Sequence, residues 1–86
     1  MDKPFFAPLI RRWDTVVAFS DDVGCPERTA REWLRIDSIP ATWFSAVARA
    51  AVARGLLEIT TDLLAARAEA RRLSQTYQAA RKQAAA

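Results

Sequence analysis

The feature that most narrows what this chain can fold into is a glycine at position 24 with a proline two residues later, set between two short stretches of helical spacing. Glycine takes a left-handed turn without steric cost and so ends a helix. Pro26 then opens the next one, because a proline in the first turn has no N–H to leave unsatisfied. Two short helices are expected to meet there at a corner, the first beginning at Val16 and the second running from Pro26 to about Arg35. Such a corner packs its helices at roughly 90–120° and asks for a small residue at the crossing and apolar residues on both sides. Ser20 is the small residue. Phe19, Val23 and Cys25 stand before and in the turn, and Ala30 and Trp33 stand after it.

The remaining punctuation extends the helical reading to the whole chain. Pro8 can open a first helix carrying Leu9, Ile10 and Trp13. Asp14 or Thr15 suits the N-cap of the second, with Val16, Val17, Phe19 and Val23 as its buried side. Ile39 precedes Pro40 and is pushed toward extended geometry, so Asp37–Pro40 reads as a connector. A fourth helix follows from Ala41 to about Arg54, with Trp43, Phe44, Val47, Ala48, Ala51 and Val52 at helical spacing and Gly55 as its stop. Leu56, Leu57 and Ile59 read as a buried connector, and Thr60 caps a last helix with Asp62 in its first turn. No stretch alternates strictly between apolar and polar residues, so the expected fold class is all-α, with five helices. Residues 1–59 form the expected domain, with the corner at 16–35, and residues 60–86 an extended C-terminal helix.

Composition removes several classes of chemistry. The chain has no His and one Cys, so neither a disulfide framework nor a soft-metal site has its ligands. Gly24 and Gly55 stand alone, with no Gly-rich phosphate loop, and there is no nucleophile motif. The expectation is a non-enzyme without cofactor or metal. No apolar run approaches the ~18–20 residues of a membrane span, and Met1-Asp2-Lys3-Pro4 is not a signal-peptide pattern, which points to the cytoplasm. Met1–Ile59 carries eight basic and eight acidic side chains, Thr60–Ala86 five and two, so the whole net charge of +3 lies in the last third.

The corner segment Phe19-Ser-Asp-Asp-Val-Gly-Cys-Pro-Glu-Arg-Thr-Ala-Arg-Glu-Trp33 resembles the lambda-repressor-like (Cro/CI-type) helix-turn-helix family, in its prophage-associated small-regulator variants. Ile39-Pro40-Ala41, an aromatic helix and Ala53-Arg-Gly-Leu56 are similar to the ending of one such subgroup. The resemblance covers about residues 9 to 64. Ser20 replaces the usual Ala, and Ala30 the usual Val or Ile, which weakens the corner seal by ~1–2 kcal/mol of lost burial. The resemblance implies five helices, operator binding as a homodimer, no cofactor and a nucleoid-associated place in the cytoplasm.

The third helix fits that implication residue by residue. Arg28, Arg31, Glu32 and Arg35 share one face, and Ala30, Trp33 and Leu34 point the other way. Its N-terminal end is the part that reaches base edges. Arg28 and Arg31 are the expected base readers, with Glu27 or Glu32 as orienter or cytosine selector. Thr15, Thr29 and Arg35 are expected on phosphates. The plainer alternative is a solvated face laced by Glu27–Arg31, Arg28–Glu32 and Glu32–Arg35 pairs. Cys25 reads as a packed thiol and the tryptophans as core.

In the last helix Leu63, Ala66, Ala70, Leu73, Tyr77, Ala80 and Ala84 recur at alternating steps of three and four, a heptad seam with Arg67, Arg71, Arg81 and Lys82 opposite. The seam can pair with a second copy, setting the spacing of an inverted-repeat operator in double-stranded DNA, or pack back on the domain. The leading expectation is a sequence-specific transcriptional regulator acting as a repressor. The alternatives are the antitoxin of a toxin–antitoxin pair and a helical adaptor that binds RNA polymerase or a phage protein without touching DNA.

Overall fold

The computed structural model describes residues 4–85, with side chains through Arg81. The order is α1 (Ala7–Ile10), α2 (Val16–Val23), α3 (Glu27–Ile36), a 3-10 turn (Ala41–Trp43), α4 (Phe44–Ala53) and α5 (Thr61–Ala85), with no strand among the described residues. The described residues form an all-α domain of five helices.

Local chemistry sets most boundaries. Thr15 is the N-cap of α2, its hydroxyl accepting from the Ala18 N–H at 3.0 Å. Gly24 closes α2 at φ 87°, and its N–H donates to the Ser20 carbonyl at 2.8 Å. Pro26, extended at ψ 145°, stands immediately before α3. Gly55, at φ 81°, follows α4, and the Thr60 hydroxyl accepts from the Leu63 N–H at 3.1 Å at the head of α5. The first helix is shorter than its apolar residues suggested: it stops at Ile10, and Trp13 lies in the following turn, though buried.

One core unites the helices. Phe6, Ile10, Phe19, Val47, Ile59 and Leu64 are fully buried in it. A row of aromatic rings crosses it edge to face: Trp13–Phe19 at 4.9 Å between centroids, Phe19–Trp33 at 6.2 Å and Trp33–Trp43 at 5.4 Å. Three expected core residues are corrected. Val17, Val52 and Leu57 are exposed. At 100° per residue Val17 stands more than a third of a turn from the Phe19–Val23 side of α2, and Val52 more than a third of a turn from Val47 on α4. Only Ile59 of the Leu56–Ile59 connector is fully buried; Leu56 is half-buried.

The strongest tie is Asp37, which closes α3 in the left-handed conformation at φ 57°. Its buried carboxylate accepts from the N–H groups of Phe5 (3.1 Å), Phe6 (2.7 Å) and Ala7 (2.8 Å). Phe6 has no capping side chain of its own, so Asp37 caps α1 from across the fold. Arg67 of α5 donates to the carbonyls of Pro4 and Phe5, both at 3.0 Å, and Arg71 to that of Ile36 at 3.2 Å.

These bonds orient α5. Its domain side is Leu64, Arg67, Ala68 and Arg71, not the heptad seam. Only Leu63 of the seam touches the core. Ala66, Ala70 and Ala80 are exposed, as are Leu73 (52%) and Tyr77 (64%), so the seam does not pack back on the domain. The side chains of Lys82 and of the seam position Ala84 lie beyond those described. Arg67 and Arg71 lie away from the seam as expected, but they are spent on backbone carbonyls of the domain. No helix among the described residues is long and apolar enough to cross a membrane.

Asp37→Ala removes the acceptor of two buried hydrogen bonds and a third, part-buried one, and places a Cβ-bearing residue without a compensating side chain at positive φ. The expected loss is about 3 kcal/mol of unfolding free energy, read as a fall in the urea midpoint, with Asp37→Asn losing less.

Candidate functional site

The outward face of α3 carries the charged residues singled out in the sequence. Ala30 and Trp33 are buried and Leu34 packs on the core, which turns Glu27, Arg28, Arg31, Glu32 and Arg35 to solvent. Thr29 is half-buried at the border of that face. Thr15 is exposed at the head of α2, and it lines a shallow cleft of about 400 Å³ with Ile10, Arg11, Trp13, Asp14, Val16 and Leu34. Thr15 and α3 thus meet along one cleft through Leu34.

The three arginines of α3 are in different states. The Glu27 carboxylate holds one side edge of the Arg31 guanidinium, with a single oxygen 2.7 Å from Nε and 2.7 Å from Nη2. Glu32 holds Arg35 in the same way with both oxygens, one of them 2.9 Å from Nε. Arg28 has no ion pair among the described residues, and the expected Arg28–Glu32 pair does not form: Glu32 closes on Arg35 instead. The hydrogen bond from Arg35 is the main reason the Glu32 carboxyl sits below its ordinary pKa, and the same bond raises Arg35. Pairs this exposed add little to the stability of the fold. The face carries three positive and two negative charges, which leaves a small positive excess.

The corner beneath this face is braced from α4. Asp22, near the end of α2, accepts from Trp13 Nε1 at 2.9 Å and from Arg54 Nε at 2.8 Å. The Arg54 hydrogen bond, followed by that from Trp13, holds the Asp22 carboxyl below the usual carboxylate range. Arg12 pairs with Glu58. Cys25 is buried in the turn, and burial pushes its thiol pKa up, so it is a packed, protonated group at neutral pH. No cluster of His, Cys, Asp or Glu suited to a metal ion occurs among the described residues.

Two residues escaped the sequence reading. Arg11 is exposed on the rim of the Thr15 cleft; the Arg11-Arg12 pair before Trp13 was the available signal. Asp37 was read as mere connector, and no local signal marks its role, since its partners lie 30 to 32 residues away. Comparison with protein-family models, with curated proteins and with solved structures returns no match. The family resemblance of residues 9 to 64 therefore rests on the sequence pattern alone.

The depressed Asp22 pKa has a definite sign. A carboxyl ionised more readily in the folded than in the unfolded state contributes stability above its unfolded pKa, and that contribution is lost as pH falls through the folded value. Wild type is expected to lose stability on acidification from about pH 5 to about pH 3, and Asp22→Asn to lose less over the same interval. Urea midpoints measured for both proteins across that interval check it.

Proposed function

We propose that the protein is a sequence-specific DNA-binding regulator acting as a repressor, in which α2, the Gly24 corner and α3 serve as a helix-turn-helix and α3 enters the major groove. One observation carries this reading. On α3 every ionic side chain from Glu27 to Arg35 faces solvent, while Ala30 and Trp33 anchor the opposite side in the core. A short helix so anchored can protrude as a rigid rod, which is the shape a groove about 12 Å wide admits. Arg28 and Arg31 then read base edges, and Arg35, Thr29 and Thr15 meet the phosphates, joined by Arg11 on the cleft rim.

The exposed seam of α5 supplies a surface for a second copy, built from Ala66, Ala70, Leu73, Tyr77 and Ala80. A two-fold pair would read an inverted repeat with half-sites about 10 base pairs, or a multiple of that, apart. The dimer is expected to be weak, because alanine buries little area; sedimentation over a concentration series should show a monomer–dimer equilibrium that Tyr77→Glu shifts to monomer.

A second reading keeps the same fold as a protein–protein adaptor. The ion-paired state of Arg31 and Arg35 and the charge balance of the first 59 residues favour it. Salt separates the two. Retention on duplex DNA should fall by orders of magnitude between low and physiological salt if several phosphates are contacted. Arg28→Ala and Arg31→Ala should each cost about 1–3 kcal/mol on a site selected from random duplexes and relax the base preference there. Fluorescence anisotropy at two salt concentrations measures both, and a wild-type protein that retains no duplex at low salt leaves only the adaptor.

A further inference from the structure

We infer that Glu27 is a positioning residue for guanine recognition: it holds the side edge of Arg31 so that the free end of that guanidinium meets a guanine of the duplex. The inference rests on the DNA-binding reading and adds to it a base and the residue that fixes the choice.

The argument begins with which atoms are taken. A guanidinium can present two forks to an acceptor pair, the side fork of Nε and Nη2 and the end fork of Nη1 and Nη2. In Arg31 the side fork is occupied, since Glu27 Oε2 accepts from Nε and lies 2.7 Å from Nη2. Nη1 has no partner among the described residues, so the end fork is the one left to address a ligand. The acceptor pair that suits an arginine fork in the major groove is guanine O6 and N7. Adenine offers N7 beside a donor, so it satisfies one arm of the fork and opposes the other. Arg31 thereby combines a held side edge with an Nη1 that has no partner among the described residues. Arg28 has no ion pair among the described residues, and Arg35 is engaged through both oxygens of Glu32.

The energetics explain why so weak a pair can matter. In water an exposed i, i+4 pair adds little to stability. In the groove water leaves, the effective dielectric falls and the same contact strengthens. The arginine also arrives with rotamers already restricted, so less entropy is lost per hydrogen bond formed. The carboxylate has an opposite effect on random sequence, because its charge repels phosphates whichever bases are present. Glu27 should therefore raise selectivity and lower non-specific affinity together. A side chain that merely supported the helix would not produce those opposite signs.

The test is selection from a random-sequence duplex library, followed by affinity measurements on the selected duplex, on its single-base variants and on random duplex. It uses wild type, Glu27→Gln, Arg31→Ala and the double variant. Wild type should select a guanine at one position. Glu27→Gln should cut the preference for that guanine about five- to tenfold while binding random duplex two- to threefold more tightly. In the Arg31→Ala background the guanine preference should already be lost, and Glu27→Gln should change it no further. Circular dichroism establishes that each variant keeps its helix content. Guanine selection unaltered by Glu27→Gln overturns the inference and leaves the DNA reading standing. So does a base preference that Glu27→Gln still abolishes in the Arg31→Ala background, because Glu27 would then contact a cytosine itself. A wild-type protein that enriches no duplex overturns both.

Discussion

The Asp37 carboxylate is the junction on which the arrangement of the helices depends. It sits where α3 ends, in a conformation that few residues other than glycine, asparagine and aspartate adopt readily, and it satisfies three backbone donors at the start of α1. A four-residue helix has no stability of its own, since the cost of its first turn is not recovered by further hydrogen bonds. It persists here because its donors are capped by Asp37 and its apolar residues are buried. Arg67 and Arg71 bind the same neighbourhood from the third side, taking the carbonyls that precede α1 and the one that ends α3. The N-terminal segment, the end of the charged helix and the root of α5 are thereby held by one connected set of hydrogen bonds. The orientation of α3 follows from this set at one end and from the Gly24 corner, braced by Asp22 and Arg54, at the other.

A rod fixed at both ends leaves its outer side chains to decide what it recognises. On α3 those side chains satisfy part of their charge among themselves. Two of three arginines are matched by carboxylates on the same helix, so the face is less attractive to a generic polyanion than its arginine content suggests. What remains is directional: guanidinium edges and one arginine without an ion pair among the described residues, set on a helix whose other side is immobilised in the core. That balance leaves the direction of the guanidinium edges, rather than bulk positive charge, as the main property of the face.

The parts of this fold that were legible in the sequence are those set by neighbours along the chain. Thr15, Gly24, Pro26, Gly55 and Thr60 mark helix ends through bonds or torsions within a few residues, and each lies at the boundary it indicated. The charged face of α3 was legible for the same reason, because the buried Ala30 and Trp33 fix its rotation. Hydrophobic identity alone misled where the angle was not consulted, as for Val17, Val52 and Leu57. In α5 the spacing of Leu63, Ala66, Ala70, Leu73 and Tyr77 defined a real stripe, but not which side of the helix the core would use. Leu64 and the bonds of two arginines to carbonyls 35 to 63 residues away decide that. The same distance in sequence hid Asp37. Charge pairing on the site face was foreseeable as a set of alternatives, and Glu32 had two arginines within reach, of which geometry selects Arg35.

The aromatic row has an optical consequence. Trp33 belongs to the charged helix, Trp43 to the 3-10 turn that leads into α4, and their indoles lie 5.4 Å apart at 62° between planes. Indoles so close and so inclined couple their excited states, and the coupling is sensitive to small changes in separation and tilt. Should the helix pivot when its outer face is occupied, the near-ultraviolet dichroism and emission of this pair would register the movement without any added label.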